Sequence, residues 1–263
     1  MRQIKKEKNF PLVSIIMNCH NGEKYLKESI KSVINQSYKN WELIFWDNKS
    51  TDNTFRILKN FNDNRIKYFF SNKYDKLYKA RNLAIKKSKG KFICFLDVDD
   101  LWKKKFIASH LNKFHKNKCD IVFSKFTIFN KNKKSQFLNE KNLLPSGKIT
   151  QNLLNKYNIG ILAVMLKKNI FNKHKFNKNY QIIGDFDFFI KLSIKYVFCC
   201  INTSLSKYRM HENNFTKKNL NIYIEEFKHW LKINEIKLKK LKFNLVPLKY
   251  YMFKLNLKYF LRR

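Results

Sequence analysis

Phe92-Ile93-Cys94-Phe95-Leu96-Asp97-Val98-Asp99-Asp100 is the stretch whose reading decides the fold. An unbroken apolar run ends abruptly in acids. A strand with one face in water would alternate apolar and polar residues. A run without alternation reads as a strand covered on both faces, as in a parallel sheet. Working outward, Leu12 to Met17, Trp41 to Trp46 and Ile66 to Phe70 are further strands of this kind. Between them lie helical patterns: Tyr25, Leu26, Ile30, Val33 and Ile34; Phe55, Ile57 and Leu58 after the capping residues Ser50-Thr51-Asp52; and Leu77, Ala80, Leu83, Ala84 and Ile85 up to Gly90. Strand and helix in alternation predict an α/β fold with a largely parallel sheet flanked by helices. In such sheets ligands bind beyond the carboxyl ends of the strands. The polar clusters at 18–22, 47–52 and 97–100 all fall at those ends, so the topology would gather them on one edge.

Farther along, Cys119 to Phe129, Ile159 to Leu166, Tyr196 to Ile201 and Ser206 to Met210 read as strands, with a turn at Lys131-Asn132-Lys133-Lys134. Asp185 to Ile194 has helical spacing. Residues 135–158 show no single pattern, and few residues of the region 135–180 can be placed. After about 215 strands give way to helices. One long helix is predicted from Leu220 through Leu238, and a second, apolar and basic, after Pro247. The expected division is 11–215 for the main domain and 216–263 for a basic helical C-terminal extension.

With 263 residues, 44% of them hydrophobic, the chain can bury a sizeable core in spite of its charge. The net charge of +37 raises nucleic acid as a partner. The lysines, however, are spread along the whole chain instead of forming one arm, and acidic clusters at the sheet edge would repel phosphate unless a metal intervened. A nucleic-acid-binding role is therefore the alternative, and no nucleic acid is expected. The five cysteines are odd in number and contain no C-x-x-C pair, which suits free thiols in a reducing compartment. The first ten residues carry charge without an apolar segment, and no stretch is apolar enough to span a bilayer. A cytoplasmic protein, at most peripheral on the inner face of a membrane, is expected.

Among the acids, Asp97 and Asp99 point to the same side of an extended segment. Two convergent carboxylates repel unless a cation or a neighbour separates them. Oxygen ligands of this type suit Mg2+ or Mn2+ bridging to phosphate. Asp100 reads as the start of a helix continuing through Leu101, Trp102 and Phe106.

Taken in order, several segments resemble the family 2 glycosyltransferases with the inverting GT-A fold. They are Val13 to Gly22, Ser32 to Tyr38, Trp46 to Asp52, Ala80-Arg81-Asn82, Asp97 to Asp100, Gly184 to Asp187 and Tyr208-Arg209-Met210-His211. The family often has Asp where this chain has Asn48, Gly where it has Lys49, and Glu where it has Gly184. The resemblance implies a Rossmann-like nucleotide-binding half and a bacterial polysaccharide or lipopolysaccharide enzyme. It also implies roles. His20 and Asn21 would line the nucleotide pocket, Asp47 would accept a hydrogen bond from the base, and Arg81 would lie against the base or reach a phosphate. Asp97 would contact the ribose, while Asp99 and His211 would hold Mn2+ or Mg2+. Arg209 would pair with diphosphate, a structural ion pair being the other reading. Asp185 would be the general base, with Asp187 behind it. The implied partners are a nucleotide-sugar donor, UDP-linked by expectation, and a saccharide or lipid-linked acceptor. A sugar-phosphate nucleotidyltransferase is a nearer rival, although that class opens with a Gly-rich loop and Asn18 to Gly22 holds one Gly. The tail beyond 217 interleaves Lys and Arg with aromatic residues, a pattern that suits an anionic membrane surface as well as a solvated helical face.

Overall fold

The computed structural model describes residues 10–130, 135–137 and 143–261, the middle segment by its backbone only. The turn read at Lys131–Lys134 and the terminal Arg262 and Arg263 lie outside the described residues.

The first half forms as its apolar pattern predicts. Strands β1 (Val13–Cys19), β2 (Trp41–Asp47), β3 (Ile66–Phe70) and β4 (Phe92–Phe95) alternate with helices α1 (Glu23–Ile34), α2 (Thr54–Lys59) and α3 (Leu77–Lys87). All four strands are parallel, in the order β3-β2-β1-β4, and every residue of β1, β2 and β4 is buried. The side-chain alternation then splits the core in two. Ile15, Met17 and Phe45 pack with Leu26, Ile30 and Val33 of α1, while Ile16, Ile44 and Phe95 pack on the other face with Tyr78, Ala80 and Ala84 of α3.

The second half extends the sheet with mixed directions. The short β5 (Leu101–Trp102) and α4 (Phe106–Lys116) lead to β6 (Ile121–Phe129), and β7 (Ser135–Phe137) pairs with β6. Helix α5 (Thr150–Asn155) and a 3-10 turn at Ile161–Ala163 precede β8 (Val164–Lys167). After α6 (Ile170–Lys173) come α7 (Gly184–Ser193) and the long β9 (Phe198–Arg209). The full path is β3-β2-β1-β4-β8-β6-β9-β5. Strand β8 is antiparallel to both β4 and β6, and β9 is parallel to β6. Two reversals restore the original direction, so β9 ends on the same edge as β1, β2 and β4. That is how residues after 209 reach Asp97 and Asp99.

Three expectations change. The strand read over Ile159 to Leu166 is a 3-10 turn followed by β8. The two strands read at 196–201 and 206–210 are one: Ser124 pairs with Ile201 but Lys125 with Ser204, so Asn202 and Thr203 bulge outward and interrupt the apolar pattern. Asp100 begins no helix. It is 1% exposed, its Oδ1 accepts the Arg209 backbone N–H at 2.9 Å, and β5 follows it.

The tail forms α8 (Phe215–Lys218), α9 (Leu220–Lys240) and α10 (Val246–Phe260). Ile224, Phe227, Trp230, Leu238, Leu248 and Met252 from these helices belong to the same core cluster as Phe186, Phe188 and Ile16. Two polar ties fix α9 to α7. Trp230 Nε1 donates to Asp187 Oδ1 at 2.9 Å, and the Glu226 carboxylate accepts the backbone N–H groups of Gln181, Ile182 and Ile183 at 2.6, 3.0 and 3.1 Å. The N-cap of α7 is Ile183, which has no side-chain acceptor of its own. Glu226 satisfies these otherwise orphaned donors from another helix and opposes the positive end of the helix dipole.

The 47–52 loop shows one local cost. Lys49 sits at φ 64°, in the left-handed region. A side chain there costs about 1–2 kcal/mol relative to glycine, and glycine gives back about 0.5–1 kcal/mol through its freer unfolded chain. Lys49→Gly should therefore stabilise the protein by about 0.5–1 kcal/mol in guanidinium unfolding. A loss of stability would show that Lys49 makes a contact outweighing its backbone.

Candidate active site

The sheet edge opens into a cavity of about 390 Å³ whose wall includes Asn18, Tyr74, Arg81, Asp97, Asp99 and Asp185. Asn18 is the penultimate residue of β1, Asp97 and Asp99 follow β4, Arg81 comes from α3 and Asp185 from the first turn of α7. Residues far apart in sequence meet here because strand ends and helix starts share one edge.

Each acid has its own partner. Asp97 Oδ1 accepts from Arg81 at 2.8 Å. Burial raises the Asp97 carboxyl above its ordinary value, with Arg81 opposing and Asp99 reinforcing the shift. Asp99 Oδ2 lies 2.9 Å from His211 Nε2. Arg81 is no solvated helix-face arginine. Its side chain is 2% exposed and lies among the rings of Tyr78, Phe95 and Phe176.

Asp185 is half-buried and shares the wall with Asp97 and Asp99. Its Oδ1 accepts the Phe186 N–H at 2.8 Å, and the Tyr78 hydroxyl stands 3.3 Å away while also reaching the Ile182 carbonyl at 2.7 Å. Its Oδ2 has no hydrogen-bond partner among the described residues. Burial raises the Asp185 carboxyl to about 6, against the opposing pull of the Phe186 N–H, Arg81 and Tyr78. The glycine before it has a steric cause: a Cβ on Gly184 would fall 2.4 Å from Tyr78 Cδ2. Asp187, by contrast, is 1% exposed and bound to Trp230 and to Lys191 Nζ at 2.7 Å. It joins helices and does not face the cavity.

The other expected residues line the loops around this cavity. Asp47 is 1% exposed, with one oxygen on the Ser50 N–H at 2.8 Å and the other on the Tyr68 hydroxyl at 2.9 Å. It therefore shapes its own turn. Asn21, at φ 55°, donates its N–H to Ser50 Oγ and accepts the Thr51 N–H at 2.8 Å, joining the 18–22 and 47–52 loops. His20 Nδ1 lies 3.0 Å from the Asn48 carbonyl, and its ring meets Tyr74 edge-on at 4.7 Å. Arg209 makes the structural contacts: Nε to the Asp99 carbonyl at 2.8 Å, and a guanidinium nitrogen to Glu28 at 2.7 Å, over the ring of Tyr25.

Sequence reasoning missed Asn18, Tyr78 and Glu226. Asn18 is 8% exposed, and both its amide nitrogen and its oxygen are buried with no partner among the described residues. A buried amide lacking partners is costly, so a ligand group in this cavity would satisfy it. The one legible signal was a polar residue near the end of a largely apolar strand. Tyr78 and Glu226 act through contacts that no local pattern encodes.

The donor set also fits a divalent cation at a diphosphate. Mg2+ and Mn2+ at such sites take one or two carboxylates and complete their shell with phosphate oxygens and water. Asp99 and Asp97 could supply the carboxylates, and His211 an imidazole nitrogen beside Asp99. No group of three such side chains forms an all-protein cage among the described residues.

Residues 14–191 match the profile of glycosyl transferase family 2. The chain is similar to the UDP-Glc:alpha-D-GlcNAc-diphosphoundecaprenol beta-1,3-glucosyltransferase WfgD of Escherichia coli, 38% identical over 70% of this chain and 69% of that one. It is also similar to the putative teichuronic acid biosynthesis glycosyltransferase TuaG of Bacillus subtilis, 33% identical over 45% of this chain and 48% of that one. Among solved structures, S. aureus TarS 1-349 in complex with UDP-GlcNAc matches with a TM-score of 0.69 at 18% identity, covering 83% of this chain and 66% of that one. The mannosyltransferase PcManGT from Pyrobaculum calidifontis, in complex with GDP-Man and Mn2+, matches at 0.64 and 13%, covering 87% and 65%. The chain thus spans about two thirds of these structures and about half of TuaG. These structural likenesses carry the GT-A fold; on the family match over most of its length, the chain belongs to glycosyl transferase family 2.

Proposed function

We propose that this chain transfers a sugar with inversion from a nucleotide diphosphate sugar, a UDP-sugar first among them, to a hydroxyl of a saccharide or lipid-linked acceptor in bacterial surface polysaccharide synthesis. The carrying observation is Asp185: a carboxyl poised near neutrality, with one free oxygen, on the wall that also holds Asp97 and Asp99. A nucleic-acid partner or nucleotidyl transfer gives that base no task.

In this reading residues 11–215 are the catalytic domain and 216–263 an extension that braces it. The donor lies along β1 and β4. Arg81 and Asp97 hold its ribose or phosphates, Asn18 meets a polar group of the nucleotide, and His20 and Tyr74 flank the base. Asp47 and Asn21 act indirectly, by fixing the loop that forms the base end, and Arg209 by fixing the chain from Asp99 to His211. Asp99, with Asp97 or His211, would hold Mn2+ or Mg2+, which supplies charge neutralisation to the leaving diphosphate. Asp185 is oriented through Oδ1 by the Phe186 N–H, so Oδ2 is left to take the acceptor's proton. The deprotonated oxygen attacks the anomeric carbon, the bond to the diphosphate breaks, and the configuration inverts.

Val246, Tyr250, Phe253, Leu257 and Phe260 follow helical spacing along α10 and are all exposed, Phe260 by 76%. Lys249, Lys254 and Lys258 alternate with them. No helix among the described residues is long and apolar enough to cross a membrane. An apolar stripe with lysine flanks suits the plane of an anionic interface, where lipid-linked acceptors reside.

Asp185→Asn should lower turnover by about 10²–10⁴-fold while donor binding persists. In the unsubstituted enzyme turnover should rise with pH through about 6, because only the ionised carboxylate accepts a proton. Turnover near normal in the variant would remove Asp185 from the base role. For the tail, deleting α9 and α10 would strip the core, so point variants are the right tool. Phe253→Ser with Phe260→Ser should weaken sedimentation with phosphatidylglycerol vesicles by about tenfold and leave the melting temperature in place, since both side chains are exposed. Equal binding by both forms would reject the membrane face.

A further inference from the structure

A second cavity, of about 420 Å³, lies on the other side of Asp185. Its wall includes Tyr157, Phe186, Tyr223, Phe227 and Tyr251, and it shares Ile182, Asp185 and Thr216 with the first cavity. It is bounded by α5, α7, α9 and α10, so the C-terminal helices build half of it.

Its chemistry is specific. The rings form a continuous aromatic surface: Tyr157 meets Phe186 edge-on at 5.2 Å, Phe186 lies 4.7 Å from Phe227, and Phe227 meets Tyr223 at 5.1 Å and Tyr251 at 6.2 Å. The hydroxyls of Tyr223 and Tyr251 are 3.1 Å apart. The Tyr157 hydroxyl is buried with no hydrogen-bond partner among the described residues. Asp185 is the one carboxylate on the wall. An aromatic surface accepts the C–H face of a sugar ring, and an orphaned phenol beside it calls for a ligand hydroxyl.

We infer that this cavity, whose wall also carries Lys156, is the acceptor subsite, and that it takes a sugar ring laid against the aromatic surface, with one hydroxyl on Tyr157 and another presented to Asp185 Oδ2. The inference rests on the glycosyltransferase reading above. It assigns acceptor choice to residues of α9 and α10 as well as to Tyr157. The two cavities meet only around Asp185, so the donor and the acceptor approach the base from opposite sides. An alkyl or prenyl chain is the competing occupant, and Tyr157 separates the two, because a hydrocarbon has no use for its hydroxyl.

The test uses the full chain with UDP-, dTDP- and GDP-sugars as donors. The acceptor probes are octyl glycosides of glucose, galactose and N-acetylglucosamine, and N-acetylglucosaminyl diphosphate on an undecyl chain. Nucleotide release is measured against both substrates. Tyr157→Phe removes the orphaned hydroxyl, so it should keep or raise the melting temperature while raising the acceptor KM about fivefold or more. Tyr251→Ala, at a half-exposed rim position, should raise the acceptor KM about tenfold. For both variants the donor KM should move less than about twofold, because neither residue lines the first cavity. An acceptor KM unchanged in both variants, with the unsubstituted enzyme turning over, overturns the subsite and leaves the glycosyltransferase reading intact. An effect of Tyr251→Ala without one of Tyr157→Phe assigns the cavity to the chain and overturns the sugar. No nucleotide release by the unsubstituted enzyme with any pair overturns the underlying reading itself.

Discussion

Four carboxylates, those of Asp97, Asp99, Asp100 and Asp185, are gathered at one edge of a sheet, and their mutual repulsion is the constraint the rest of the structure answers. Two unit charges 4 Å apart interact by about 4 kcal/mol at an effective dielectric of 20. The fold meets this acid by acid. Arg81 reaches Asp97 from α3, His211 reaches Asp99 from beyond β9, the Arg209 N–H reaches Asp100, and the Phe186 N–H reaches Asp185. Arg81, Arg209 and His211 arrive from elements other than those of their acids, whereas the Phe186 N–H is the neighbour of Asp185 within α7. The two changes of strand direction through β8 and β6, the exit of β9 and the docking of α7 are what make these pairings geometrically available.

The neutralisation is graded. Asp100 is sealed and serves the backbone. Asp97 is held by a buried guanidinium. Asp99 has only an imidazole, and Asp185 keeps one oxygen unclaimed. Structural duty falls as the acids approach the open cavity. In a chain of net charge +37 with 19 acids, carboxylates inside the fold cannot be filler for a polar surface; several of them bind named donors at strand ends and helix starts. The same economy explains Asp47, which lies under the 47–52 loop, and Asp187, which ties α7 to Trp230.

Much of the fold was legible because β1, β2 and β4 are buried on both faces and so read as largely apolar runs. The edge strand β3 is partly exposed and was legible from its place in the alternation of strand and helix. Legibility failed where a regular period was interrupted. Asn202 and Thr203 divide one strand into two apparent ones, and Asp100 resembles a helix cap until Arg209 is seen to use it. Gly184 is intelligible only with the Tyr78 ring behind it, and Lys49 only with its left-handed backbone. Asp97, Asp99, Asp185 and Arg81 do meet around one cavity. Asn18, Tyr78 and Glu226 escaped because their meaning lies in partners, or in the lack of them, that sequence spacing does not reveal.

The clamp of Glu226 on three consecutive N–H groups has a bearing on how such chains can diversify. The segment that introduces Asp185 is held by a residue from the C-terminal helix, so the tail is not a detachable module. A recombination joint placed between β9 and α9 would graft a foreign helix beneath the base, and the chimera would work only where the incoming helix carried an acid at the matching turn. The outer stripe of α10 can thus vary residue by residue, whereas wholesale exchange of the tail must preserve the Glu226 carboxylate together with Trp230 and the apolar residues of α9 and α10 in the core.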